Sequence, residues 1–108
     1  MALRTALRYQ LVAAATFMWE GSAGGPLQGE GLTRDISVKG AFILTPNCPP
    51  PGITLRVEIS LGQVETGRSI RMVSEGRVVR VERPVLGEAQ DGFAIVGEFA
   101  IDEAARAN

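Results

Sequence analysis

The stretch of residues 53–61 limits the fold of this chain more than any other. Apolar residues occupy every odd position from Ile53 to Leu61, and the even positions between them carry polar or charged residues. Successive side chains of a β-strand point to opposite faces of a sheet, so this alternation is typical of a strand with one buried face. A strand of this kind needs partners, and the alternation therefore favours a β-rich fold.

Further strands are predicted on both sides of this one, separated by segments rich in glycine and proline. Between residues 69 and 83 the apolar parity switches, and a bulge or bend near Gly76 would reconcile the two halves. Residues 102–107 are long enough for one helical turn. The additional predicted strands are residues 9–19, 28–37, 41–45 and 69–83, and a last strand that contains Phe93, Ile95, Phe99 and Ile101.

Six or seven strands with almost no helix predict an all-β fold. The chain has 108 residues, a length that suits one domain with a real core. A small closed barrel is favoured over a two-sheet sandwich because closure removes exposed strand edges. We expect one domain over residues 1–108, with residues 1–8 as a flexible basic arm, 9–101 as the barrel and 102–108 as a short tail.

Composition restricts the classes of function. The net charge of −1 gives no reason to expect general attraction to DNA, RNA or anionic membranes. One cysteine and no histidine exclude an internal disulfide and the usual zinc and Cys/His catalytic sites. No nucleophile and base can be paired along the chain, so we expect no enzyme, no metal and no cofactor. The lone cysteine fits a reducing, cytoplasmic compartment.

Polar side chains concentrate in the segment of residues 33–44. Ile36 and Val38 share one parity and are predicted to point inward, while Thr33, Asp35 and Ser37 share the other and are predicted to project outward together. Gly40 follows as a position without a Cβ atom. The simpler interpretation is a hairpin whose polar groups satisfy nearby backbone. The alternative is a small recognition edge formed by Asp35 and Ser37.

Basic residues supply the other candidate sites. Arg4 and Arg8 place two guanidinium groups four residues apart, just before the first predicted strand. Arg34 has the inward parity beside Asp35, and we expect it to pair with a neighbouring acid rather than a ligand. Lys39 is predicted to be a solvated turn residue that adds positive potential. Arg34 and Lys39 are secondary candidates.

The order of these residues, Arg-x-x-x-Arg-Tyr, then a strand, then Asp-Ile-Ser-x-x-Gly, resembles the PilZ domain family. The resemblance implies a six-stranded antiparallel β-barrel that binds cyclic di-GMP. It also implies that Arg4 and Arg8 fold over the nucleotide, and that Asp35, Ser37 and Gly40 lie on the barrel surface beneath it. The arm is then expected to be mobile without ligand and ordered with it.

The residue types suit such a ligand on chemical grounds. Arginine presents paired donors to phosphate or to guanine O6 and N7 and can stack on a base, whereas a carboxylate accepts from the N–H groups of guanine. The alternative is a PilZ-like protein-interaction module that binds no nucleotide, for instance in pilus or motility machinery. Either function requires a downstream protein partner that the sequence leaves unidentified.

Overall fold

The computed structural model describes residues 12–63, 69–83 and 91–104, and these residues form seven β-strands and no helix. Within these ranges there is consequently no helix of the length and apolarity that a bilayer crossing requires. The strands are β1 (Ala14–Gly21), β2 (Gly25–Ser37), β3 (Gly40–Leu44), β4 (Thr54–Gln63), β5 (Ser69–Glu82), β6 (Gly92–Val96) and β7 (Ala100–Ala104).

All of the strand pairs are antiparallel, and six strands close into a ring. Neighbouring strands follow the order β4-β1-β2-β3-β6-β5, and pairing of β5 with β4 completes the circle. The seventh strand, β7, pairs with the first half of β5 beside the ring. The predicted all-β, six-stranded antiparallel barrel is therefore confirmed, with one strand added to it.

The interior of the barrel is filled by one face of each strand. Leu55, Val57 and Ile59 of β4 are at most 2% exposed, as the alternation predicted, and Arg56 between them faces solvent. Phe17 lies at the centre with its ring 5.0 Å from that of Phe93, in an edge-to-face arrangement. The apolar core comprises Ala15, Phe17, Ile36, Ala41, Ile43, Leu55, Val57, Ile59, Met72, Val78, Phe93, Ile95 and Phe99.

The parity switch predicted near Gly76 takes place three residues later. Gly76 is paired regularly with Leu55, and the register shift lies between Val78 and Arg80. Val78 is buried, whereas Val79, which was expected to point inward, is 46% exposed. A glycine breaks the apolar pattern of a sequence without interrupting the strand, because here its missing side chain makes room for Ile95.

The predicted last strand is two strands. β6 ends at Val96, and β7 begins at Ala100, so Phe93 and Ile101 lie on different elements. Ile101 is 68% exposed rather than buried. The helical turn expected from residue 102 is wrong for residues 102–104, because their backbone extends β7 along β5. A few residues bound to an existing strand edge gain ladder hydrogen bonds that a single isolated helical turn lacks.

The first hairpin also departs from the prediction. Residues 21–26 were expected to be a flexible connection, yet Gly21 pairs with Gly25, and β2 starts three residues before the predicted boundary. A tight turn closes the hairpin, with Gly24 at a φ of 85° and its N–H donating to the carbonyl oxygen of Gly21 over 2.9 Å. Residues 9–11 of the predicted first strand, and the predicted arm at residues 1–8, lie outside the described residues.

Candidate functional site

A β-bulge at Arg34 decides which residues of β2 reach the outer surface of the barrel. Thr33 pairs with Ile43 and Asp35 pairs with Phe42, so Arg34 is the extra residue. Thr33, predicted to project outward with Asp35, is instead 1% exposed and accepts a hydrogen bond from the Ala13 N–H at its Oγ1. The prediction for Thr33 fails because a bulge inserts one residue and changes the face from that point on.

Downstream of the bulge, Asp35 and Ser37 lie on the outer face, and Ile36 between them is buried. The Ser37 hydroxyl accepts from the Lys39 N–H over 3.2 Å and donates to the Gly40 carbonyl oxygen over 3.4 Å. Val38, expected to point inward, is 54% exposed because the strand has already ended in the turn. The hydroxyl thus stabilises the turn, and Lys39 is exposed there as predicted.

Gly40 is needed for the approach of β6. A Cβ atom at this position would lie 2.5 Å from the carbonyl oxygen of Ile95, a distance that real side chains do not adopt. The turn before Gly40 is also fastened to the chain that follows β6. The Gly97 N–H donates to the Lys39 carbonyl oxygen, and the Phe99 N–H donates to that of Val38, each over 3.0 Å.

Strand pairing aligns residues from four strands in a row across the outer face. Asp35 of β2 is opposite Phe42 of β3, Phe42 is opposite Ala94 of β6, and Ala94 is opposite Arg80 of β5. Directly opposed residues of paired strands project from the same face, so these four side chains share one surface. The Ala94 methyl group leaves a gap between Phe42 and Arg80.

This gap belongs to a cavity of about 170 Å³ that is lined by three of the predicted motif residues, Asp35, Ser37 and Gly40. Gly92, also on the outer face of β6, has no side chain, so the Phe42 ring lies where its Cβ would be. The Phe42 ring, which covers Gly92, and the small side chain of Ala94 therefore form a low floor between polar walls. The cavity is lined by Arg34, Asp35, Ile36, Ser37, Gly40, Ala41, Phe42, Arg80, Ala94 and Ile95.

Four charged residues, which we call the outer-face charge cluster (Arg34, Asp35, Arg80 and Glu82), lie around this floor. Arg34 Nε is 2.9 Å from Asp35 Oδ2, and Arg34 Nη1 is 3.9 Å from Glu82 Oε1. Arg80 Nε is 2.9 Å from Glu82 Oε2. The Arg34 guanidinium carbon lies 3.9 Å from the centre of the Phe42 ring, within cation–π range.

The expected pairing of Arg34 with a neighbouring acid is confirmed, but its expected inward orientation is wrong. Its side chain is 45% exposed on the outer face. The extra residue of a bulge does not follow the alternation of the strand, and here the outward conformation gives Arg34 two carboxylate partners.

Sequence reasoning missed Phe42 and Arg80 as members of the site. Phe42 stands in an apolar run to which no face was assigned, and it is buried on the outer face beneath Arg34. Arg80 reaches this face because the bulge at Val79 resets the alternation of β5. The predicted parity switch in this strand put Val79 inward and so already implied that Arg80 points outward, which was the available signal.

Arg4 and Arg8 lie outside the described residues, so the structure says nothing of their positions. The chain nearest to them is nonetheless fixed beside the site. Ala13 exchanges hydrogen bonds with Thr33, which accepts at its hydroxyl and donates from its backbone N–H, each over 2.9 Å. Thr33 is two residues from Asp35, so Ala13 lies near the same end of β2 as Asp35.

A second cavity of about 290 Å³ lies by the first hairpin and contains none of the predicted site residues. Met18, Trp19 and Leu55 contribute apolar surface to it. Trp19 stacks on Phe17, with ring centres 5.8 Å apart, as expected of a rim aromatic. The walls of this cavity offer no adjacent guanidinium groups comparable with those of the first one, which remains the better candidate for an anionic ligand.

Comparison with known proteins agrees with the architecture. No curated protein and no solved structure matches the chain significantly. The PilZ domain model matches residues 3–98, which cover most of the chain. PilZ domains are binding and effector domains that generally bind cyclic di-GMP. A match of this extent, together with the six-stranded barrel and the outer-face position of Asp35 and Ser37, shows that the chain belongs to the PilZ domain family.

Proposed function

We propose that this chain is a cyclic di-GMP receptor that signals through its amino-terminal arm and has no catalytic activity. The observation that carries the proposal is the cavity that Asp35, Ser37 and Gly40 share on the outer face of the barrel. These three residues come from the motif typical of cyclic di-GMP-binding members of the family. The family match begins at residue 3 and so includes both Arg4 and Arg8.

Each motif residue has a chemical task in this proposal. The Asp35 carboxylate accepts hydrogen bonds from the N–H groups of guanine, an edge that adenine cannot reproduce. The Ser37 hydroxyl, already aimed at the surface turn, exchanges a backbone partner for a ligand atom. Arg4 and Arg8 bind phosphate oxygens or the guanine O6 and N7 acceptors with paired donors.

The arm is required because the barrel surface alone has little attraction for an anion. The outer-face charge cluster holds two arginines and two carboxylates, so its formal charges cancel. Arg8 precedes Ala13 by five residues, which an extended chain spans in at most about 17 Å. Ala13 is hydrogen-bonded to Thr33, two residues before Asp35, so a span of this length is sufficient to bring Arg8 to Asp35.

Binding then orders the arm. Ordering costs about 1–2 kcal/mol of backbone entropy per residue fixed, and charge-assisted hydrogen bonds to phosphate offset that cost. The ordered arm and nucleotide present a new surface to a protein partner. We place this exchange in the cytoplasm, in keeping with the lone cysteine.

Isothermal titration calorimetry with cyclic di-GMP tests the proposal. We expect micromolar or tighter binding by the unsubstituted chain and loss of at least tenfold in affinity for Arg8→Ala. Cyclic di-AMP should not compete, since it lacks the guanine N–H groups from which Asp35 accepts hydrogen bonds. Absence of heat at high ligand concentration would refute nucleotide binding and favour a protein-interaction module.

Limited proteolysis tests the ordering of the arm. Cleavage within the first ten residues should be fast in the free protein and slow at saturating cyclic di-GMP. Cleavage within the second hairpin provides the internal control, because β2 and β3 are paired with each other without any contribution from the arm. Equal cleavage of the arm in both states would contradict ordering even if the nucleotide binds.

A further inference from the structure

We infer that Arg80 is a further phosphate-binding residue of this site and that Glu82 is the internal anion it leaves when the nucleotide binds. The inference deepens the proposed function and rests on it. It arises from the outer face of β5, a strand that carries none of the motif residues from which the proposal was built.

The position of Arg80 follows from strand pairing. It stands at the opposite end of the cross-strand row from Asp35, three strand spacings away, or about 14 Å between backbones. The bulge at Val79 turns its side chain to the outer face, and Arg80 lines the same cavity as Asp35 and Ser37. Bulges that redirect one side chain into a site are frequent beside binding surfaces.

The two ends of the row differ in charge. Asp35 at the β2 end attracts donors and repels phosphate, whereas Arg80 at the β5 end attracts an anion. A guanine nucleotide has hydrogen-bond donors on its base and a negative charge on its phosphate. It therefore complements the charges at the two ends of the row in only one orientation. The base edge lies at Asp35, and a phosphate lies at Arg80 above the Ala94 methyl group.

The present partner of Arg80 is the kind of group that a phosphate replaces. Arg80 Nε is 2.9 Å from Glu82 Oε2, in an ion pair whose side chains are 56% and 45% exposed. An exposed ion pair of this type shifts the equilibrium between paired and unpaired side chains by only about one- to fivefold. Glu82 therefore holds the Arg80 guanidinium in place without binding it tightly. A phosphodiester of cyclic di-GMP carries one negative charge, as the carboxylate does, and presents two non-bridging oxygens to the same fork of donors.

Glu82 also faces the other arginine of the cluster. Its Oε1 is 3.9 Å from Arg34 Nη1, so one carboxylate lies between two guanidinium groups. A nucleotide phosphate that enters at Arg80 therefore meets Glu82 as a competitor. Neutralising Glu82 should release the guanidinium groups of Arg34 and Arg80 from this carboxylate. It should also remove the repulsion between Glu82 and the nucleotide phosphate.

Calorimetric titration of variants with cyclic di-GMP at two salt concentrations tests the inference. We expect Arg80→Ala to weaken binding by about tenfold or more and to flatten the dependence of affinity on salt. Arg80→Lys should recover part of the affinity, because it restores the charge without the fork. Glu82→Gln should tighten binding by about two- to fivefold.

Matched controls come from β4, which forms no part of the row. Arg56 and Glu58 form an exposed pair there, with Arg56 Nη2 3.3 Å from Glu58 Oε2. Arg56→Ala and Glu58→Gln should leave the affinity within about twofold of the unsubstituted chain. A lack of binding by the unsubstituted chain overturns the proposed function and this inference together. Binding that Arg80→Ala leaves unchanged, or that Glu82→Gln fails to tighten, overturns the inference alone.

Discussion

Gly40 illustrates how one residue supports both the fold and the site. The sequence identifies it as a position without a Cβ atom within the family motif, and the structure adds a packing reason, since the Ile95 carbonyl oxygen occupies the space of a Cβ atom. The obstacle is backbone within a paired strand, which cannot rotate away as a side chain could. A methyl group here must separate β3 from β6.

Gly40→Ala should accordingly lower the free energy of unfolding by about 1–3 kcal/mol. Urea denaturation followed by circular dichroism measures the change. Gly25→Ala is the matched control, because a Cβ atom at Gly25 meets nothing within 4 Å and its φ is not positive. Equal stability of the two variants would show that β6 moves away at little cost.

Cys48 offers a prediction about pH. Partial burial raises the pKa of its thiol; Arg83 lowers it and Asp91 raises it, as smaller effects. Because the pKa of the thiol is raised in the folded state, the contribution of Cys48 to folding stability is complete below its unfolded-state pKa. That contribution is lost as the pH rises through its folded-state pKa.

Iodoacetamide should therefore alkylate Cys48 more slowly in the folded protein than in urea near pH 8.5, the ordinary pKa of a thiol being about 8.5. Folding stability should also decline slightly above that pH, and Cys48→Ser should abolish this part of the decline. A rate profile with its midpoint below that of the unfolded chain would contradict the assignment.

At the scale of elements, alternation predicts strands well, but a single parity predicts the face of a residue on only one side of a bulge. β4 obeys its pattern from Thr54 to Ser60, and every predicted inward residue there is buried or half-buried. In β2 the bulge at Arg34 buries Thr33, although Asp35 and Ser37, which share its parity, face outward as predicted. In β5 the bulge at Val79 places the predicted parity switch three residues after Gly76, so Val79 is exposed. A bulge is a property of two paired strands, so its position cannot be predicted from the sequence of either strand alone.

β7 is the element whose removal the barrel should tolerate. It pairs with β5 beside a ring that closes without it, and the family match ends at residue 98. A chain ending at Phe99 should lose no more than about 2 kcal/mol of stability, because the hydrogen bonds given up and the chain entropy regained are of similar size.

Thermal unfolding and the proposed cyclic di-GMP titration together check this prediction. The shortened chain should unfold cooperatively and bind as the full chain does, since Phe99 and its hydrogen bond to the Val38 carbonyl oxygen are retained. Loss of a cooperative transition would mean that β7 is required to hold β5 in the ring.

For the whole molecule, stability depends on a small aromatic centre. The Phe17 ring is fully buried between those of Phe93 and Trp19. Domains of this size have unfolding free energies of about 5–15 kcal/mol, so one large core residue carries a substantial share. The single tryptophan in contact with Phe17 gives a fluorescence signal for unfolding.

Phe17→Ala should lower the free energy of unfolding by about 3–5 kcal/mol through lost burial and the cavity left behind. Met18→Ala is its neighbour in sequence and its control, because Met18 is 46% exposed and the change should stay within about 0.5 kcal/mol. A similar loss in both variants would indicate that the barrel interior relaxes around the missing ring.

The amino-acid sequence by itself determined the all-β class, the positions of most strands, and a motif of arginines, an acid, a hydroxyl and a glycine that identifies the family. These are local properties of alternation and spacing. Only the tertiary structure decided that Phe42 lies on the outer face and that Arg80 shares a cavity with Asp35, 45 residues away in the chain. The physical reason is that strand register and bulges arise from pairing between distant segments, and one inserted residue moves every later side chain to the other face.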